Sequence, residues 1–325
     1  MPGLPVRFLA PMCALALLIA GCGAGDDEPA GDYGEQPLGA LIMGTGPVGG
    51  TYYPLGGAMA RMWNDELGEP SVTTLATGGS AENLRMLAAG EANLAMAVNG
   101  AAARAAAGEG EFGGEAIDLA LLGNLYPEVV QVAAAADSPI TTLADLDGKR
   151  VAIGPPGSAT QATAAAVLEA AGVVPAQTPE DDFGAAALKL ASGEIDAAVG
   201  VLAAPDVALG ERARSDGLTM IPLPDDVRAR LVADDPTLAE AEIPDGAYDG
   251  VDGPIATVRS WASLYARADL DEDQVYELVE ALYERAGDIE NAAAESIAAA
   301  TAVEGRAGVD LHAGAARYLA EHGVG

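Results

Sequence analysis

The chain predicts an α/β fold built as two related lobes, and three observations carry that expectation. Short β-like runs alternate with alanine-rich helical stretches along most of the length, the order that produces α/β layers with mainly parallel strands. The segment Leu87-Ala88-Ala89-Gly90-Glu91-Ala92-Asn93-Leu94-Ala95 returns as Leu190-Ala191-Ser192-Gly193-Glu194-Ile195-Asp196-Ala197-Ala198. Each copy reads as a helix stopped by glycine and followed at once by a buried strand, so each half carries the same unit, although an alanine-rich chain can also repeat itself by chance. Once an N-terminal leader is set aside, about 290 residues remain, ample for two such lobes.

Taken in order, the leader comes first. Arg7 is its positive region, and residues 9–20 form an apolar stretch too short to span a bilayer as a helix. It ends Leu18-Ile19-Ala20-Gly21-Cys22, a lipobox-like pattern that makes Cys22 the expected lipidation site. Cleavage before Cys22 removes Cys13 as well, so the mature chain has one cysteine and no intrachain disulfide. Residues 22–37 are acidic and contain glycine and proline, the composition of a flexible tether. The expected division thereafter is 38–130 plus 255–325 for lobe one and 131–254 for lobe two.

Lobe one opens with two strand–glycine turn–helix units. Residues 38–43 run into Gly44-Thr45-Gly46-Pro47-Val48-Gly49-Gly50-Thr51-Tyr52-Tyr53, and residues 72–76 run into Thr77-Gly78-Gly79-Ser80. Glycines let backbone approach a ligand closely, and the first amides of each helix lack internal partners, so two such ends side by side form a seat for a small anion. Lobe two opens similarly. A strand at 151–154 leads through Pro155-Pro156-Gly157-Ser158-Ala159-Thr160-Gln161 into a helix ending at Ala171, with Ser158 as a cap, a ligand contact or both. Residues 128–135 and 253–259 are the expected crossings between lobes, and 271–287 and 289–302 the expected long helices returning to lobe one. Asp271, Glu272 and Asp273 suit the first turn of the former.

The net charge is -33, from 49 acidic and 16 basic residues, and it excludes nucleic acid and anionic lipid as electrostatic partners. Spread along the chain, this excess reads as a surface adapted to high salt or as the composition of a GC-rich lineage. Gly44-Thr45-Gly46-Pro47-Val48-Gly49 matches the dinucleotide pattern G-x-G-x-x-G. The next strand, however, ends Leu75-Ala76-Thr77 with no acid to hold a ribose, and an exported chain has no maintained nicotinamide pool. The only histidines, His312 and His322, lie near the C-terminus, away from any nucleophile loop, and His312 suits a helix cap or the surface. The sequence has no His/Cys metal cluster and no EF-hand spacing. No cofactor or catalytic constellation is therefore expected.

The candidate ligand residues are Thr45, Gly46, Gly49, Thr51, Tyr52, Tyr53, Ser80, Asn83, Tyr126, Ser158, Thr160 and Gln161. Adjacent tyrosines at a helix start should diverge, one toward the cleft and one into packing. Tyr126 ends an expected strand, where open α/β sheets place ligands. Asn83 lies one turn past Ser80 and reaches either the pocket or solvent, and Gln161 has the same two options. No Lys or Arg occurs in residues 44–53, 77–83 or 155–161, so a carboxylate here would be held by amides, hydroxyls and helix dipoles.

These residues resemble the TAXI type of TRAP-transporter solute receptor. The resemblance includes residues 44–57, 77–91, Leu125-Tyr126-Pro127-Glu128, 143–158, 247–257 and 311–323, nearly all of the mature chain. Val98, Asn99 and Gly100 depart from a more polar run common in that family, and residues 199–205 are plainer. The resemblance implies a two-lobed type II periplasmic-binding-protein fold and a lipid-anchored extracytoplasmic monomer. It would bind a small carboxylate of the glutamate, glutamine or dicarboxylate class and deliver it to TRAP-type membrane subunits. A sensor signalling to a membrane partner, or an exported enzyme on the same scaffold, is the alternative.

Overall fold

Residues 40–69 and 71–324 are described in the computed structural model, so Cys22, the leader and the tether lie outside the described residues. Strand β1 (Leu41–Gly44) runs through residues 45–51 into α1 (Tyr52–Leu67). Tyr52, Leu55, Met59, Met62 and Trp63 form its buried stripe, at the spacing that puts them on one helical face. Then β2 (Val72–Leu75), α2 (Ser80–Ala89) and β3 (Leu94–Val98) complete a parallel layer in the order β2-β1-β3. Helix α3 (Asn99–Ala107) starts directly on β3.

Two long strands organise everything else. β4 (Leu119–Ala135) begins well before the predicted crossing at residue 128 and is buried along almost all of its length. The second half of the molecule contains β5 (Val151–Ala152), α4 (Ala159–Ala171), α5 (Phe183–Ser192) and β6 (Ala197–Leu202). It continues through α6 (Val207–Ser215), β7 (Leu218–Met220), α7 (Asp225–Asp234) and β8 (Ala239–Ile243). β9 (Ile255–Arg267) returns the chain, followed by α8 (Glu272–Glu284) and α9 (Ala313–Glu321).

β9 pairs antiparallel with β8 along its first half and with β3 along its second. β4 pairs with β9 from Leu119 to Val129, then with β6 and β7. The resulting sheet runs β2-β1-β3-β9-β4-β6-β5. It is mixed rather than mainly parallel, because both crossing strands pair antiparallel with every neighbour. One core packs α1, α8 and α9 on β1, β3 and early β4; another packs α5 and α6 on β6, β7 and late β4.

The repeated unit is real. Gly90 and Gly193 both adopt φ +72°, each returning its amide to a carbonyl three residues back, and each is followed by a wholly buried strand, β3 or β6. The expected helix at 289–302 is not formed. Only short turns at Ala292–Ser296 and Ala299–Thr301 occur, separated by extended residues. The C-terminal end of this segment is held on β4 instead: the Asn124 side-chain amide donates to the carbonyls of Thr301 and Glu304 at 2.7 and 2.8 Å, and its backbone amide to that of Ala302. Buried tertiary partners outweigh the helical preference of an alanine-rich run.

Candidate functional site

Three helix starts converge where the two halves meet. α1, α2 and α4 begin at Tyr52, Ser80 and Ala159, and the loops before them touch across the cleft. The Ala81 amide donates to the Gly157 carbonyl at 3.1 Å, joining the second glycine turn to the loop of the other half. A Cβ on Gly49 would sit 2.8 Å from Asp182 Oδ1 and 3.3 Å from the Gly184 backbone, so the first turn also needs its missing side chain to approach α5. Gly79 adopts φ +115°, a conformation open to glycine and strained for other residues.

The loops enclose a cavity of about 60 Å³. Of the residues expected at a site, Thr51, Tyr52, Ser80, Ser158 and Thr160 line it, together with Glu128 and Phe183; no Lys or Arg does. Beyond Glu128, Ala159 and Val201, which are shared by both spaces, the cleft widens to about 800 Å³ between α3, α4 and α7.

Several expected site residues instead hold the scaffold. Asn83 is fully buried. Its amide donates to the carbonyls of Thr45 at 2.6 Å and Met96 at 2.7 Å, while its oxygen accepts from Thr77 Oγ1 at 2.7 Å. Thr45 Oγ1 donates to the Leu75 carbonyl at 2.6 Å, tying β1 to β2. Gly46 packs on the Tyr52 Cβ, and Gly49 on Asp182 and Gly184 as above. Tyr53 is at the surface, so of the adjacent tyrosines one lines the cleft and the other faces solvent rather than packing. Gln161 Nε2 donates to Glu180 at 2.7 Å and its Oε1 accepts from the Gly157 amide.

The cavity hydroxyls are themselves engaged. Ser158 caps α4, accepting from the Gln161 amide at 3.1 Å and donating to the Pro155 carbonyl at 2.7 Å. Thr160 Oγ1 accepts from the Val201 amide at 3.2 Å, and Ser80 Oγ from the Val98 amide at 3.2 Å. Neither amide bond uses the hydroxyl hydrogens, and that of Ser80 also faces the Tyr52 phenol.

Sequence reasoning missed Glu128. It is 4% exposed, and its two oxygens accept from Tyr126 Oη at 2.8 Å and Tyr52 Oη at 3.3 Å. The two rings meet edge to face with centroids 6.3 Å apart. Burial pushes the Glu128 carboxyl up to about 8, against the opposing pull of the two phenols, and burial with the neighbouring carboxyl raises both phenols well above their usual range. The signal was present: Glu128 is the only charged residue within β4.

This carboxyl has a stability signature. Between its ordinary value of 4.5 and about 8 the folded state keeps a proton that the unfolded chain has lost. Folding stability should therefore fall as pH rises through that window and level off above it. Glu128→Gln, which mimics the neutral acid, should remove this slope, so its melting-temperature advantage over the parent grows from pH 5 to pH 8. Parallel pH profiles for the two proteins would refute the buried, protonated carboxyl.

Two halves joined by crossing strands, with helix N-termini facing one another over the cleft, define a two-lobed periplasmic-binding-protein fold. The chain belongs to the NMT1-like family, whose model matches residues 43–323. A solved protein from Bordetella bronchiseptica RB50 is similar at TM-score 0.53 and 18% identity, over 88% of this chain and 81% of that one. A TctC solute binding protein from Polaromonas aligns at TM-score 0.48 and 19% identity over 79% and 86% of the two chains. The periplasmic aliphatic sulphonate binding protein SsuA from Escherichia coli aligns at TM-score 0.39 and 22% identity, over 57% of this chain and only 60% of that one.

Proposed function

We propose that the chain is an extracytoplasmic solute receptor of the TAXI type, anchored through lipid on Cys22. It binds a small carboxylate metabolite between its lobes and delivers it to a TRAP-type membrane transporter. The observation that carries this function is the convergence of α1, α2 and α4 on one interlobe cavity free of Lys and Arg. Aligned helix starts offer unpaired amides and partial positive charge to an anion, and Ser80 and Thr160 add hydroxyl donors. A neutral Glu128 at the floor does not repel such a ligand at neutral pH. The loops belong to different lobes, so a ligand bridging them binds the closed arrangement better and shifts the population toward it.

Replacing Ser158 and Thr160 together with alanine, or Ser80 alone, should weaken carboxylate binding about ten- to a hundredfold for each hydrogen bond lost to the charged group. Loss of the Ser158 cap should itself cost about 1 kcal/mol of stability, so titrations belong at a temperature where melting curves show full folding. Small-angle scattering should show ligand-induced compaction in the parent that the double variant lacks at equal ligand. Unchanged affinity in both variants would place the ligand elsewhere.

A further inference from the structure

Glu128 has a neighbour whose chemistry the carboxylate site does not use. Ser260 on β9 is the register partner of Glu128 on β4, and directly opposed residues of an antiparallel pair project from the same face. Ser260 is 5% exposed, and its Oγ is buried without any hydrogen-bond partner. Both side chains open on the wide part of the cleft, about 800 Å³. A buried hydroxyl without a partner is a deficit that a ligand group can fill. Glu128 likewise has acceptor capacity to spare: two phenols occupy two of its roughly four lone-pair positions.

Acceptors beside an unmatched hydroxyl ask for a donor-rich group, and the walls agree in sign. Arg104 and Glu109 face the space from α3 and the turn after it, Glu169 from α4, and Arg230, Asp234 and Asp235 from α7 and its end. Both arginines are already paired, Arg104 with Glu111 and Arg230 with Asp226. The surplus of acid only matches that of the whole chain and by itself decides nothing. What decides is the floor, where no cation faces the Glu128 carboxyl and its polar neighbours are Tyr52, Tyr126 and Ser260.

We propose that Glu128 and Ser260 form an ammonium subsite at the floor of the cleft, which receives the ligand's cationic group. This inference rests on the cleft being the ligand site, and it narrows the ligand to a small acid that also bears an amine. The carboxylate lies at the helix starts, and the ammonium donates to Glu128 and Ser260 Oγ where the cleft widens. Since burial keeps the empty carboxyl protonated at neutral pH, ammonium binding expels that proton to solvent.

The test is calorimetry on the full-length chain with three L-amino acids (glutamate, alanine and leucine), each paired with the oxo acid of the same carbon skeleton. In at least one pair the amino acid should bind about ten- to a hundredfold more tightly. At pH 7 its heat should differ between buffers of high and low ionisation enthalpy by an amount corresponding to nearly one proton released. Glu128→Gln should abolish both the preference and the proton release. Ser260→Ala, which leaves the carboxyl intact, should reduce the preference while keeping the release. Oxo acids that bind as well as their amino partners, or a preference that survives both variants, overturn the ammonium subsite and leave the carboxylate receptor standing. Binding by none of the six compounds overturns both.

Discussion

Asn83→Ala should lower folding stability by about 3 kcal/mol or more, a larger effect than any loss of ligand affinity it causes. The side chain makes three hydrogen bonds at zero exposure, and two of them reach the carbonyls of Thr45, just past β1, and Met96 on β3. Truncation removes their donor without admitting water, and each buried unsatisfied group costs about 1–3 kcal/mol. Asn83→Asp should be at least as damaging, since a carboxylate has no donor to offer and sets charge against two carbonyl oxygens. Denaturant titration of both variants decides the matter. A loss below about 1 kcal/mol accompanied by a large drop in affinity would assign Asn83 to the ligand after all.

The second large effect lies away from the cleft. Trp63 on α1 is fully buried, and its indole N–H donates to the Leu278 carbonyl on α8 at 2.9 Å, a bond spanning 215 residues of sequence. Trp63→Ala should cost about 3–5 kcal/mol, the range for removing a large aromatic from a close-packed core. Trp63→Phe keeps most of the volume and should cost less, its loss reflecting the orphaned carbonyl. The same denaturant measurement applies, and equal stability of Trp63→Ala and the parent would contradict the docking of α1 on α8. The bond has a functional side as well. α1 supplies Tyr52 to the cleft and is held in place from its other end by this contact.

What could be read in the sequence was local, and what could not was the destination of side chains. The strand–turn–helix units, the cap at Ser158 and the glycine stops at 90 and 193 depend on a few adjacent residues, and each is found. His312 proves to be the N-cap of α9, accepting from the Gly314 amide. Asn83 was placed correctly on its helix, one turn past Ser80. The carbonyls it serves, however, lie 38 and 13 residues away, and no local pattern encodes that distance. Residues 289–302 carry a helix-forming composition, and the side chain that holds their C-terminal end, Asn124, sits far upstream on β4. Glu128 was legible as a lone charge in an apolar run. Ser260 was not, because its significance is the absence of a partner, which only the folded chain reveals.

The β4–β9 pair has a mechanical consequence. Its register shifts between Leu121 and Gly123 and again between Asn124 and Tyr126, and runs evenly from there through Glu128. Interrupted ladders bend and twist more readily than regular ones. A ribbon shared by both lobes is therefore bent at its lobe-one end, with Tyr126 at the edge of the irregular stretch and Glu128 two residues beyond. Glu128, the carboxyl proposed to meet the ligand, is thus mounted next to that bend.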